Sequence, residues 1–149
     1  MTTFIKTIGF LALAALPAAA LEKDFGDRIL QSAQNIERDA SALDQSLKPK
    51  NPDSAAVQQK ISAMADDVAK LQELVKQFET GAASLSERDK ADWLLVKEKV
   101  QLLEIFHGRK QELATQDLNK NRSMIRAHAK GIALRAQRLQ QTAMKLRRG

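Results

Sequence analysis

Seven apolar residues between Val57 and Phe78 constrain the fold of this chain more than any other feature. Val57, Ile61, Met64, Val68, Leu71, Val75 and Phe78 follow one another at spacings alternating between four and three residues. On an α-helix this spacing makes one narrow stripe, the geometry of a bundle or coiled-coil seam. Ala65, Ala69 and Leu74 flank it, while Gln59, Lys60, Asp66, Asp67, Lys70, Glu73 and Lys76 take the side expected to face water. A single helix cannot bury such a stripe, so the remainder of the chain has to supply partners.

Three further periodic stretches can do so. The first, over residues 22–47, carries Phe25, Ile29, Ala33, Ile36, Ala40, Leu43 and Leu47 at helical spacing. The segment Lys48-Pro49-Lys50-Asn51-Pro52 then forces a turn, because each proline pushes the residue before it out of helical geometry. Asp53 or Ser54 is placed to cap the second helix, expected over 54–80. Gly81 is expected to end that helix in a left-handed conformation. Ser86-Glu87-Arg88-Asp89 has the form of a capping box with Asp in its fourth place, and opens a third helix over 87–116.

That third helix is apolar on more than one side. Trp93, Val96, Val100, Leu103 and His107 form one stripe, and Leu95, Leu102, Phe106 and Leu113 an adjacent one, with Leu94 and Ile105 pointing elsewhere. It is either the most buried helix or a surface for association with a second copy of the chain. The last segment repeats Leu118, Ile125, Ile132, Leu139 and Leu146 every seven residues, with Ala129, Ala136 and Ala143 interleaved, and a fourth helix is expected over 120–147. A break near 117–121 gives an all-α, antiparallel up-down four-helix bundle. The alternative is three helices, the last one very long and continuing through a four-residue stutter.

The N-terminus points to export. Lys6 precedes an apolar run from Ile8 to Leu16, and Pro17-Ala18-Ala19-Ala20 supplies an A-x-A cleavage site, the layout of a secretory signal peptide. Cleavage after Ala20 leaves Leu21–Gly149 as one domain, soluble and periplasmic or secreted, without a membrane span. The chain holds no Cys, which removes disulfides, thiolate metal sites and cysteine nucleophiles from consideration.

Catalysis finds no support in the residue pattern. Nucleophile-elbow, zinc-protease, phosphate-loop and calcium-loop motifs are all missing. Asp66 and Asp67 are adjacent, but neighbours on a helix diverge by about 100°, so the pair reads as solvated surface. The two histidines, His107 and His128, fall at similar distances on either side of the expected turn between helices three and four. Their ordinary reading is a core-edge and a surface histidine, with no cofactor bound. The alternative is a ligand pair for a b-type haem or a divalent metal.

Charge supplies the functional expectation. Residues 117–149 hold 9 basic residues and 1 acidic one, whereas the three preceding segments are balanced or slightly acidic. Arg122, Arg126, Lys130, Arg135, Arg138 and Lys145 lie along the fourth helix, with Leu134 among them. Either these charges balance acids inside the bundle, or they form a face for an acidic protein or an anionic envelope component. Nucleic acid fits less well, because no aromatic residue follows Phe106 to stack on bases. The leading expectation is a non-enzymatic binding or adaptor protein using its basic last helix, with the haem- or metal-binding bundle as alternative. A holdase-type chaperone is a third class.

Overall fold

The structure is a computed structural model that describes residues 18–147. Its long elements are four helices, α1 (Ala18–Ser46), α2 (Ser54–Glu79), α3 (Glu87–Thr115) and α4 (Leu118–Arg147), with a short 3₁₀ turn at Ala82–Ser84 between α2 and α3. No strand occurs among the described residues. The expected leader lies outside them, apart from Ala18–Ala20, which belong to α1. None of these helices is long and apolar enough to cross a membrane.

Each boundary has a local cause. The Asp53 carboxylate accepts hydrogen bonds from the backbone N–H of Ala55 at 3.0 Å and Ala56 at 3.3 Å, capping α2. The Ser86 hydroxyl accepts from the Asp89 N–H at 3.2 Å, and it also bonds the Asp89 carboxylate, so the box closes between side chains. Between α3 and α4, Gln116 leaves helical geometry with ψ near −147°, and the Asp117 carboxylate caps the new helix by accepting from the Lys120 N–H at 3.1 Å. The long continuous C-terminal helix is thereby excluded. The expected left-handed glycine is also corrected. Gly81 has φ −92°, and its N–H is held by the Phe78 carbonyl at 2.9 Å, which leads the chain directly into the 3₁₀ turn.

The interior is built from the four stripes. Ile29, Ala33, Ile36, Ala40, Leu43 and Leu47 of the first stretch are fully buried, as are Ile125, Ala129, Ile132, Ala136, Leu139 and Ala143 of α4. Small residues alternate with large ones on both helices, which permits close approach, and α1 packs most extensively on α4. The α3–α4 and α1–α2 contacts come next, and α2 touches α3 least. Cross-links fix directions: Asp44 meets Arg126 while Glu37 meets Gln137 and Gln140, so α1 and α4 run oppositely. Gln58 reaches the Ala114 carbonyl at one end and Glu79 meets Lys97 at the other, so α2 and α3 do the same. An aromatic cluster closes one end, with Phe25 and Phe78 ring centroids 4.5 Å apart and Phe78 and Trp93 4.7 Å apart.

The stripes needed two adjustments. In α2, Leu74 is buried and Val75 only half-buried, a small rotation of the seam at that level. In α3 the primary stripe, including His107, is buried, but Leu95 and Leu102 are 38% and 37% exposed and Leu94 and Ile105 are each 60% exposed. Helix α3 is therefore not the most buried of the four.

Candidate partner-binding surface

At about 100° per residue, the basic residues of α4 cannot share one face. One set turns toward α1. The Arg126 Nε donates to the Asp44 carboxylate at 2.8 Å; Asp44 is 8% exposed and only partly screened by water. Arg122 donates to the carbonyls of Lys48, at 3.5 Å, and Pro49, tying α4 to the turn after α1. Gln137 and Gln140 continue this edge, both donating to the Glu37 carboxylate, the first at 2.6 Å. Arg135 lies on the opposite edge of α4. It is half-buried, and its Nη1 donates to the Gly131 carbonyl at 3.1 Å.

The remaining set points outward. Lys130, Leu134, Arg138 and Lys145 are all exposed, as is Lys120 near the start of the helix. Lys130, Leu134 and Arg138 stand four residues apart in one line, so Leu134, 47% exposed, is an apolar contact between two cations. Of the six basic residues expected to form a single face, α4 thus directs Lys130, Arg138 and Lys145 to solvent and Arg122 and Arg126 to α1.

The histidines are placed on packed neighbours. His107 is buried on α3 and His128 is half-buried on α4. Among the described residues no three His, Asp or Glu side chains gather as a metal site.

Asp67 departs from expectation. It is not on a solvated face: its side chain is 14% exposed, and it faces Asp39 of α1. Burial first, then a hydrogen bond to Asp39 and the charge of that second carboxylate, hold the Asp67 carboxyl above its ordinary pKa, with Lys70 opposing. Asp66, one residue earlier, is exposed as expected.

Sequence reasoning offered acids inside the bundle as partners for the α4 charges but did not name Asp44 or Glu37 as the α1 acids that engage α4. A signal for Asp44 was present, since it stands four residues after Ala40 and three before Leu47, at the edge of the buried seam. Glu37 likewise comes directly after the seam residue Ile36. Compared with known proteins, the chain matches no protein-family model, no curated protein and no solved structure.

Proposed function

We propose that this chain is an exported, non-enzymatic adaptor, an antiparallel up-down four-helix bundle that binds an acidic protein or anionic envelope component through the outward face of α4. The observation that supports this reading is the line Lys130–Leu134–Arg138, extended by Lys145, in which an exposed leucine sits among cations not used to hold α1. Exposed cations draw an acidic partner in over several ångströms, and the leucine adds contact area once it arrives. The N-terminal basic start, apolar run and A-x-A site support the periplasmic or secreted location.

The test is the affinity of the purified protein for fluorescent polyglutamate at low and physiological salt. Lys130→Glu, Arg138→Glu and Lys145→Glu together should abolish measurable binding and leave the helical circular-dichroism signal intact. Wild-type binding should weaken as salt rises, because exposed charges are screened over about 8 Å at physiological ionic strength. Binding that ignores both salt and charge reversal would remove α4 as the contact surface. The cofactor alternative would instead require haemin or zinc uptake that His107→Ala and His128→Ala each abolish.

A further inference from the structure

Helix α3 carries a second seam on the side away from the core. Glu87, Ala91, Leu94, Glu98, Gln101, Ile105 and Gly108 succeed one another at alternating spacings of four and three residues, and every one is exposed. The buried seam of Trp93, Val96, Val100, Leu103 and His107 occupies the opposite side. Two helix-spaced rows back to back explain why this sequence is apolar in more directions than one packed face requires.

The outer row reads as its own mirror. Around the midpoint between Lys99 and Val100, Leu94 corresponds to Ile105, Ala91 to Gly108, and Glu98 to Gln101. Placed against an identical helix running the other way, the six residues from Ala91 to Gly108 each meet a mate: large apolar on large apolar, small on small, carboxylate on amide. Glu87 lies beyond the paired stretch. Alternating spacings of this kind are what an antiparallel helix pair needs to bring such layers together. A two-fold interface must be self-complementary in this manner, because the same patch serves both partners.

We infer that this face joins two copies of the chain, α3 against α3 in opposite directions about a two-fold axis at the level of Lys99 and Val100. The flanks agree with that register. On one edge Leu95 falls opposite Leu102 of the second copy, which would cover the two residues left 38% and 37% exposed. On the other, Lys97 falls opposite Glu104 of the second copy, adding a partner to the one it has in Glu79 at 2.9 Å. Arg88 and Arg109 of the second copy share the outermost position of the first edge, and both are exposed in the single chain.

Gly108 gives an independent reason. It lies inside α3, where glycine is the poorest helix former after proline, and a Cβ built on it would meet nothing within 4 Å. Nothing within the single chain needs a glycine there. Opposite Ala91 of a second copy it lets two backbones approach closely. The outward face of α4, by contrast, carries Lys130, Arg138 and Lys145 with no acidic residue of its own helix beside them, and would repel its own copy. None of the α3 residues belongs to that face, so the two surfaces are tested separately.

Sedimentation equilibrium of the purified protein should show a monomer–dimer equilibrium at micromolar concentration. Leu94→Glu and Ile105→Glu, each on an exposed position, should raise the dissociation constant by about thirtyfold or more with helicity unchanged. Gly108→Ala should weaken dimerisation while making the monomer melt at higher temperature. Because the chain has no Cys, introduced thiols report the register. Leu94→Cys combined with Ile105→Cys should form a covalent dimer on mild oxidation. Either change alone should not, since identical positions would lie about 16 Å apart along the axis. A chain that stays monomeric to high micromolar concentration would overturn the inference. So would a dimer indifferent to Leu94→Glu and Ile105→Glu, or one cross-linked equally well by Leu94→Cys alone.

Discussion

Two acids on α1 meet opposite conditions. Asp44 is buried but faces Arg126, whereas Asp39 faces a second carboxylate, Asp67. Removing the partner of the first leaves a poorly solvated carboxylate, so Arg126→Ala should cost about 1–3 kcal/mol in a urea titration. The second pair reverses the sign. Asp67 holds its proton to a higher pH in the folded chain than in the unfolded one. Its contribution to stability is therefore fully present below the unfolded value of about 3.9 and is lost as pH rises through the folded pKa. Asp67→Asn should melt higher than wild type at neutral pH, and the gap should narrow as the pH is lowered toward about 4. A gap that widens on acidification would contradict that assignment. The sequence shows which residues are charged and where they fall on a helix, and by that measure Asp67 belongs with Asp66. It does not show that α1 brings Asp39 over that position, because which faces meet depends on how the helices are rotated against each other.

At the scale of the helix, periodicity carries most of the information. All the first stripe from Phe25 to Leu47 is buried where its spacing places it, and so are Val57, Ile61, Met64, Val68, Leu71 and Phe78 of α2. Leu71 has no exposed surface, and Leu71→Ala should cost about 2–5 kcal/mol by chemical denaturation. A loss below about 1 kcal/mol would mean that the seam is not packed. The α3–α4 break is only half legible, because the apolar phases on either side do not join cleanly yet no glycine or proline marks the turn; the Asp117 cap that starts α4 is what decides it. Gly81 is harder to read for a related reason. Glycine permits a left-handed turn without requiring one, and the Phe78 carbonyl draws its N–H into a 3₁₀ turn instead. Leu95 and Leu102 sit beside a buried stripe, yet α3 has neighbours on one side only, and no local pattern reports how many neighbours a helix will have.

For the whole molecule, geometry divides the basic residues after Asp117 into sets that face different ways. Arg122 and Arg126 hold α1 and the turn after it, while Lys130, Arg138 and Lys145 are left facing solvent beside Leu134. The sequence locates the charge on the last helix but not this division, which depends on where the α1 acids and carbonyls lie. The measurement that tests the division most directly compares two neutralised variants, Arg122→Gln with Arg126→Gln, and Lys130→Gln with Arg138→Gln and Lys145→Gln. Each is monitored by thermal unfolding and by the salt dependence of polyglutamate affinity. The first variant should melt lower and keep the wild-type salt slope, and the second should melt as wild type does with a flattened slope. If the first variant instead loses the salt-dependent binding and the second loses the stability, the assignment of α4 into a clamping edge and a binding face is contradicted.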